Sequence, residues 1–524
     1  MPTLLFELPL QTAHTTPDAI AIRHGDSTTT YAALAAHIER VASGFLCLGL
    51  QRGDRVGIYL PKQLEAVVAM FAAPRAGGVF VPINHVLRPA QVGHILRDCD
   101  VSILVTSRSR LATLKSELAS SPAIRSIVLV DDPADAGDAR IVTFSALLDA
   151  SGKPAHRSVD TDMVSILYTS GSTGKPKGVV LSHRNMVTGA RSVASYLANT
   201  SDDRLLAVLP FSFDYGFSQL STAFSVGASV SLLDYLVPRD VLRALEAGRI
   251  TGLAGVPPLW AQLVELDWPD GATEHLRYLT NSGGAVPRAM SAKLRTRAPR
   301  AELFLMYGLT EAFRSTYLAP SELDRRPDSI GKAIPGAEIL VLRPDGTECD
   351  ADEPGELVHR GSLVGMGYWN DREKTAERYR SIVARQSGLV LPELAVWSGD
   401  TVRRDAEGFL YFVGRRDEML KTSGYRVSPT EIEEVVYGSG LVADAVAVGV
   451  PHARLGHAII LVASPPPGKE VTTDQLLRAL RDVLPVYMVP FAVEWRAELP
   501  RNPNGKFDRS SLAKELVDRC ATET

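Results

Sequence analysis

Cysteine is scarce in this sequence. Four cysteines occur among 524 residues, and they show neither a CxxC pair nor another metal-ligand spacing. Disulfide-stapled secreted domains and zinc sites need several cysteines at short spacings. The pattern argues against a disulfide framework and a cysteine-ligated metal, and it indicates a reducing, cytoplasmic environment.

An excess of charge of one sign is also missing. The 56 lysine and arginine residues are nearly balanced by 60 aspartate and glutamate residues, which gives a formal net charge of −4. Binding to nucleic acid normally requires a strongly basic surface. We therefore expect no nucleic-acid partner.

Long uninterrupted hydrophobic runs are absent as well. The most apolar stretch, residues 205–237, contains two aspartates and two glycines. The first residues carry Glu7 inside their short apolar run and have no basic lead-in, unlike a secretory signal. The sequence thus predicts no membrane span.

The sequence does contain alternating strand-like and helix-like segments, which are typical of a layered α/β protein. After Thr30, apolar residues recur at the spacing of one buried helix face. Strand-like and helix-like segments then alternate over residues 55–60, 64–73, 79–83, 90–99 and 101–106. This order implies right-handed crossovers and a mostly parallel sheet with helices on both faces.

A different pattern begins near residues 414–417. The capping-box sequence of residues 428–431 opens a predicted helix. Predicted strands follow near residues 445–450 and 458–463, then a helix at 473–484 and a strand at 492–495. We predict an α/β protein with a large N-terminal domain of mostly parallel, helix-covered sheets, residues 1–414, and a small mobile α+β C-terminal domain, residues 415–524.

A loop suited to phosphate follows the apolar run 163–167. Residues 168–178 read Y-T-S-G-S-T-G-K-P-K-G. Glycines allow backbone N–H groups to surround anionic oxygens, and hydroxyl and lysine side chains add donors and positive charge. The loop is not a Walker A motif, because Lys175 is followed by Pro176 rather than by Ser or Thr. A flexible surface loop of the same composition is the alternative.

Further motifs occur in a fixed order along the chain. They are R-A-G-G at 75–78, N-S-G-G-A at 281–285, Y-G-L-T-E at 307–311, W-S-G-D at 397–400, G-R-R-D at 414–417, L-P-V-Y-M-V-P at 484–490 and L-P-R-N-P-N-G-K at 499–506. With the loop at 168–178, they make the chain resemble the AMP-forming adenylating enzymes, which include acyl-CoA synthetases, luciferases and the adenylation domains of peptide synthetases. The resemblance covers nearly the whole chain.

The resemblance implies a two-step reaction on a small carboxylic acid. The carboxylate attacks the α-phosphate of ATP, giving an acyl-adenylate and pyrophosphate, and a thiol then takes the acyl group. The implied cofactors are ATP and Mg²⁺, with coenzyme A or the phosphopantetheine of a carrier protein as the thiol acceptor. Because both reactants of the first step are anions, positioning and preorganised donors should carry most of the catalysis.

By the same resemblance, the ATP contacts fall on the shared motifs. Thr310 contacts the α-phosphate and Glu311 holds Mg²⁺, whose preference is for oxygen ligands. The residues implied in ATP or AMP binding are Thr169, Ser170, Gly171, Ser172, Thr173, Gly174, Lys175, Lys177, Gly284, Ala285, Tyr307, Gly308, Asp400 and Arg415. Taken singly, such residues have structural roles too, for example a turn cap at Asp400.

The C-terminal region is implied to serve the two steps in two orientations. Lys506 is the expected catalytic cation of adenylation, and Asp417 is the expected hinge. Rotation about it would bring Lys421, Gly424 and Arg426 to the pantetheine thiol, with glycine allowing close passage of the arm. A solvated Lys506 and a plain turn at Gly424 are the alternatives.

The acid pocket is expected at Phe213, Asp214, Gly283, Ala312 and Arg314. Asp214 follows aromatic residues in F-S-F-D, as in peptide-synthetase domains that bind α-amino acids, where the aspartate pairs with the substrate ammonium. A buried carboxylate needs such a cation, and Arg314 is the rival partner.

The sequence also leaves open which thiol accepts the acyl group. The amino-acid interpretation is our main prediction, with a separate carrier protein as the acceptor, because the chain ends soon after Lys506. Residues 424–433 instead look like those of acyl-CoA ligases. The alternative is therefore a ligase that joins a fatty or aryl acid to coenzyme A. A luciferase-like adenylase or an inactive homologue would share most of these motifs, although Glu311, Asp400 and Lys506 are all present.

Overall fold

The computed structural model describes residues 1–131, 138–152, 155–169, 176–382, 393–415, 419–466, 468–500, 507 and 509–522. The helices are α1 (Glu7–Thr15), α2 (Tyr31–Cys47), α3 (Leu64–Arg75), α4 (Pro89–Asp98), α5 (Arg108–Thr113), α6 (Lys115–Ala119), α7 (Phe144–Leu148), α8 (His183–Tyr196), α9 (Asp214–Val226), α10 (Pro238–Ala247), α11 (Pro257–Leu263), α12 (Asp270–Thr273), α13 (Arg288–Arg297), α14 (Arg372–Arg378), α15 (Pro429–Gly438), α16 (Thr473–Val483) and α17 (Arg509–Thr522).

The strands belong to three sheets. They are β1 (Ile20–His24), β2 (Ser27–Thr30), β3 (Arg55–Tyr59), β4 (Val79–Pro82), β5 (Val101–Thr106), β6 (Ser126–Leu129), β7 (Ile141–Thr143), β8 (Met163–Thr169), β9 (Lys177–Ser182), β10 (Arg204–Ala207), β11 (Ser229–Leu232), β12 (Gly252–Gly255), β13 (Tyr278–Asn281), β14 (Glu302–Tyr307), β15 (Thr316–Leu318), β16 (Ser329–Ala333), β17 (Ala337–Leu342), β18 (Gly355–Gly361), β19 (Gly367–Tyr368), β20 (Tyr379–Ser381), β21 (Leu394–Arg404), β22 (Leu410–Arg415), β23 (Leu420–Thr422), β24 (Tyr425–Val427), β25 (Asp444–His452), β26 (Gly456–Ser464) and β27 (Ala492–Trp495).

The first helix predicted from periodicity is α2. The Thr30 hydroxyl caps its start by accepting from the Ala33 N–H at 3.2 Å. Its apolar face, which includes Leu34, Ile38 and Phe45, is fully buried in the largest hydrophobic cluster. That cluster joins α2 and α3 to α8 and α9, so it ties the two large sheets together.

The eight-stranded sheet has the order β19-β9-β8-β4-β3-β5-β6-β7. From β8 to β7 neighbouring strands are parallel, as the alternation of strands and helices predicts. The hairpin β8–β9 is antiparallel, and its register places Thr169 opposite Lys177. Both ends of the glycine-rich loop therefore leave the sheet at one point.

The fourteen-stranded sheet combines a parallel and an antiparallel region. Strands β1, β11, β10, β12, β13 and β14 are parallel neighbours. Beyond β14 the sheet continues as antiparallel strands through β15, β16 and β22 to β21, β18 and β17. The fold is the predicted helix-covered α/β arrangement, and its antiparallel extension was not predicted.

The C-terminal part forms a five-stranded sheet with the path β24-β23-β26-β25 and β27 beside β26. The Ser428 hydroxyl caps α15 and accepts from the Glu431 N–H at 3.4 Å, as the capping-box sequence predicts. α15, α16 and the sheet bury their own hydrophobic cluster, which includes Ile432, Leu461 and Leu480. The domain boundary at residues 414/415 stays a prediction.

Among the described residues, the helices are all too short or too polar to span a bilayer.

Candidate active site

The predicted phosphate loop is bounded by the ends of β8 and β9. Residues 170–175, which hold Ser170, Gly171, Ser172, Thr173, Gly174 and Lys175, lie outside the described residues. Thr169 and Lys177 are half-buried at the two ends of the hairpin. The Lys177 ammonium lies 5.4 Å from the centre of the Tyr368 ring, and burial lowers the pKa of this lysine.

Glu311 lies in a 3₁₀ turn, Thr310–Ala312, that follows β14. It is 4% exposed, and its Oε1 accepts from the Tyr368 hydroxyl at 2.6 Å. Burial pushes the pKa of Glu311 upward, but the Arg426 charge and the Tyr368 hydroxyl outweigh burial and hold the pKa below its usual value. The carboxylate is thus kept ionised in a buried position.

Such a carboxylate fits Mg²⁺. This ion is typically bound by one or two carboxylates together with substrate phosphates and water rather than by an all-protein cage. The described residues contain no group of three or more His, Cys, Asp or Glu side chains placed to hold a metal. Tyr368 was not predicted, because it lies far from Glu311 along the chain.

Tyr307, at the end of β14, is hydrogen-bonded to Asp400 of β21. The Tyr307 hydroxyl donates to Asp400 Oδ2 at 2.5 Å, and both residues are buried. The Ser398 hydroxyl accepts from the Asp400 N–H at 3.1 Å and so fixes the turn. Strand pairing places Arg415 opposite Asp400 in the β21–β22 ladder, although the Arg415 side chain lies outside the described residues.

A cavity of about 810 Å³ opens beside this pair. The N-terminal residues that line it include Gly283, Gly284, Ala285, Tyr307 and Gly308, and the C-terminal ones include Met419, Lys421, Gly424, Leu455 and His457. Its volume is in the range of pockets for small molecules and cofactors. The structure thus brings together residues that the sequence assigns to adenine and to the thiol segment.

Gly424 is one of the residues that line that cavity. Its φ of +81° is a backbone conformation that L side chains rarely adopt. A methyl group built on Gly424 would lie 2.9 Å from Val256 Cγ2, and one built on Gly283 would lie 3.7 Å from the Gly424 carbonyl oxygen. In this orientation the predicted thiol segment therefore packs against the predicted acid and adenine region.

The C-terminal part is held there by contacts to α4. The Gln91 amide donates to Glu431 Oε1 at 3.2 Å, and the Arg88 guanidinium donates to the backbone carbonyls of Arg481 and Leu484. Burial raises the pKa of Glu431 to about 7, while the hydrogen bond from Gln91 acts in the opposite direction. This interface was not predicted from the sequence.

In the predicted acid pocket, Asp214 pairs with Arg314. Arg314 Nη1 donates to Asp214 Oδ2 at 2.9 Å, and the Thr310 hydroxyl donates to Oδ1 at 3.3 Å. Asp214 is 3% exposed and Arg314 is 1% exposed. Burial raises the pKa of Asp214, and the Arg314 charge opposes that rise. Of the two partners that the sequence left open, the structure contains the arginine.

A cavity of about 30 Å³ lies next to this pair, between the parallel strands and helices α8 and α9. Its lining includes Arg314 but not Phe213, Gly283 or Ala312. Lining residues that were not predicted are Tyr215, Ser218, Gln219, Thr222, Thr280 and Met306. Most of them lie on α9, and the sequence of this helix does not distinguish its pocket-lining face from an ordinary hydrophobic-core face. Phe213 precedes α9 beside Gly283, and Ala312 is fully buried.

Two predicted residues of central importance, Lys506 and Asp417, lie outside the described residues. Their assignments as catalytic cation and hinge stay predictions. The Arg426 charge contributes to lowering the pKa of both Glu311 and Lys177, and the assignment of Arg426 to the thiol segment also stays a prediction.

Comparison with known proteins agrees with this geometry. Residues 10–369 match the AMP-binding enzyme family, and residues 431–506 match the AMP-binding enzyme C-terminal domain. The chain is 32% identical to feruloyl-CoA synthase from an Amycolatopsis species over 97% of this chain and 98% of that protein. It is 31% identical to a linear gramicidin synthase polypeptide from Brevibacillus parabrevis over 96% of this chain but only 6% of that protein.

A solved structure gives the same result for the fold. O-succinylbenzoate CoA synthetase from Bacillus subtilis has a TM-score of 0.82 at 26% identity, with 96% of this chain and 97% of that chain covered. The chain belongs to the AMP-binding enzyme family of AMP-forming adenylating enzymes, and it is an AMP-forming acid–thiol ligase.

Proposed function

We propose that this protein joins a carboxylic acid without an α-amino group to coenzyme A. The observation that carries the proposal is the buried ion pair between Asp214 and Arg314. An aspartate that already has a cation 2.9 Å away offers no free charge to a substrate ammonium. Displacing Arg314 would leave its guanidinium buried without an anion, which costs several kcal/mol, on the order of 3–5.

Similar proteins support the acceptor. The relatives matched over their full length include feruloyl-CoA synthase and indoleacetate–CoA ligase, whereas the gramicidin synthase match is a small part of a longer protein. This favours coenzyme A over a carrier protein. It replaces the amino-acid and carrier-protein interpretation that the F-S-F-D sequence had suggested.

In the first step, a carboxylate oxygen of the acid forms a bond to the α-phosphorus of ATP. The bond from that phosphorus to the bridging oxygen breaks, and pyrophosphate leaves with the electron pair. The Thr310 hydroxyl, which donates to Asp214 in the structure described, would turn to donate to the α-phosphate, and Glu311 would hold Mg²⁺, which neutralises phosphate charge when bound. Asp400, oriented by Tyr307, would accept from the ribose hydroxyls. Lys506 would supply a positive charge between the two anions.

In the second step, the sulfur of coenzyme A attacks the acyl carbon. The acyl–phosphate oxygen bond breaks, AMP leaves with the electron pair, and the thiol proton passes to solvent. Lys421 and Gly424 line the large cavity in the orientation described, and with Arg426 they would receive the pantetheine arm. Close packing of Gly424 against Val256 would exclude water from the adenylate.

The test is an acid panel with ATP, Mg²⁺ and coenzyme A, in which AMP and the acyl thioester are both measured. We expect thioester from one or more aryl or aliphatic acids and none from amino acids. Glu311→Gln is the matched control for contaminating activity and should lose thioester formation. Pyrophosphate exchange that depends on an amino acid, with no thioester from any other acid, would overturn the proposal.

A further inference from the structure

The small cavity beside the ion pair contains polar donors without acceptors. Arg314 Nη1 donates to Asp214 and to the Phe313 carbonyl oxygen, but Nε and Nη2 of the same side chain are buried and have no hydrogen-bond partner among the described residues. The guanidinium lies over the Tyr215 ring, with its carbon 4.5 Å from the ring centre. The Nε–H and Nη2–H groups therefore remain available as donors.

The same cavity also contains an acceptor without a donor. Gln219 is 6% exposed, and its Oε1 has no hydrogen-bond partner in the described part of the chain. Its Nε2 donates to the Gly216 carbonyl oxygen at 3.2 Å, which fixes the orientation of the amide. Tyr215 and Thr280, by contrast, satisfy each other through hydroxyls 2.6 Å apart. Buried polar groups without partners are rare in folded proteins and commonly have a functional reason.

The size and charge of the cavity restrict what can satisfy these groups. A volume of about 30 Å³ holds roughly two water molecules or one small substituent. The Arg314 charge is already balanced by Asp214, and the charge of Glu311 acts on that aspartate as well. A second carboxylate would therefore add an uncompensated negative charge in a buried place. A hydroxyl group both accepts and donates, and it brings no charge.

We infer that the acid substrate carries a hydroxyl group at the end remote from its carboxyl, and that this hydroxyl accepts from Arg314 and donates to Gln219. The inference rests on the proposed function, because it concerns the acid that this ligase would activate. Apolar lining residues such as Val193 and Leu205 would surround the rest of the substituent. Gln219 is then a residue that determines specificity rather than one that takes part in the reaction.

The test compares matched acids that differ by one group. The pairs are cinnamic and 4-hydroxycinnamic acid, benzoic and 4-hydroxybenzoic acid, and hexanoic and 6-hydroxyhexanoic acid, with 4-carboxycinnamic and adipic acid as dicarboxylates. The kcat/KM for thioester formation is measured for each acid. We expect a hydroxy acid to exceed its unsubstituted partner at least tenfold in one or more pairs, since a site built for a hydroxyl discriminates strongly against its absence.

The variant Gln219→Met removes the acceptor at nearly constant size. We expect it to lower the kcat/KM for the hydroxy acid at least fivefold more than the kcat/KM for the unsubstituted partner. Gln11→Met, the same change at an exposed position of α1, is the control and should leave both values unchanged. Melting temperatures of all three proteins show whether a loss comes from unfolding.

Several outcomes would overturn the inference. Equal turnover within every pair, a preference for a dicarboxylate, or a Gln219→Met variant that loses both members of a pair equally would contradict the hydroxyl contact and leave the ligase proposal intact. Exchange with amino acids and no thioester from any other acid would overturn the proposed function as well.

Discussion

A methyl group at Gly424 should separate the two half-reactions. In the orientation described, the new Cβ of Gly424→Ala would lie 2.9 Å from Cγ2 and 3.1 Å from Cβ of Val256. These atoms belong to the N-terminal part, so the conflict arises only while the thiol segment is packed there. Overpacking of this kind costs about 1–3 kcal/mol, which corresponds to a roughly 5- to 150-fold loss of the packed orientation.

The backbone strain of the substitution can be measured separately. Gly440 has a φ of +66° in the same part of the chain, and a methyl group there would meet no atom within 4 Å. Gly440→Ala therefore carries the cost of alanine at positive φ, about 1–2 kcal/mol, without the conflict with Val256. Both variants should lose similar stability, but only Gly424→Ala should impair the packed orientation.

The assay follows each half-reaction alone. Pyrophosphate exchange reports adenylation, and single-turnover consumption of a pre-made acyl-adenylate by coenzyme A reports transfer. We expect Gly424→Ala to slow transfer roughly tenfold or more with exchange nearly unchanged, and Gly440→Ala to leave both near wild type. Equal loss of both half-reactions in Gly424→Ala, or normal transfer, would refute the reasoning.

Three further predictions concern other parts of the site. Lys506→Ala should lose roughly 100-fold or more of adenylation and keep transfer from a pre-made adenylate, whereas equal losses in the two assays would contradict its assignment. Arg314→Leu should destabilise the protein by about 3–5 kcal/mol, and the pair Asp214→Leu with Arg314→Met by much less. Because burial raises the pKa of Asp214, the Arg314→Leu loss in urea unfolding should be smaller at pH 5 than at pH 8, and a loss independent of pH would count against an unpaired carboxylate. Glu431→Gln should speed transfer relative to wild type as the pH rises through about 7, because burial raises the pKa of Glu431 to about 7 and ionisation then places a charge in the buried contact with α4, although the hydrogen bond from Gln91 favours the ionised form; a rate ratio that is flat between pH 6 and 8 would argue against a buried carboxyl at this contact.

The local pattern of the sequence predicted individual elements well. The helix after Thr30 is α2, and the alternating segments up to residue 106 are β3, α3, β4, α4 and β5. The capped helix at residue 429 is α15. The helices α2 and α15 begin at the capping hydroxyls of Thr30 and Ser428, and the strands β4 and β5 are buried throughout, so capping and short apolar runs decide these elements locally.

The antiparallel strands between residues 316 and 415 were not predicted. β16 pairs with β22, and β18 pairs with β21, across segments that are distant in sequence. Such pairing depends on which strand lies next to which, and short strands carry little local signal for it. The hydrogen bond from the Tyr368 hydroxyl to Glu311 could not be predicted for the same reason, because β19 is brought to the site by its pairing with β9.

Polar residues on buried faces were the other omission. Ser218, Gln219 and Thr222 lie on α9 among buried apolar residues. From the sequence alone, a helix of this composition is predicted to be part of the hydrophobic core, so its polar residues give no sign of a pocket. The sequence left two possible cationic partners for Asp214, a substrate ammonium and Arg314. Only the three-dimensional packing, which pairs Arg314 with Asp214, decides between them. The spacing of apolar residues predicts which face of a helix is buried, but it does not predict which side chain from a distant part of the sequence packs against that face.

The turn that contains Glu311 connects three parts of the predicted site, which are the acid pocket, the carboxylate for Mg²⁺ and the thiol segment. Within five residues, Thr310 and Arg314 bind Asp214 of the acid pocket, while Glu311 binds Tyr368 and senses the charge of Arg426 from the thiol segment. Phe313 completes the turn with a φ of +57°, a costly conformation for a residue with a side chain. A methyl group on Gly189 would lie 2.3 Å from the Phe313 ring, so the ring packs directly on the backbone of α8. That packing holds the strained turn in place, and any movement of α8 or of the turn would therefore reach the acid, the carboxylate for Mg²⁺ and the thiol segment at once.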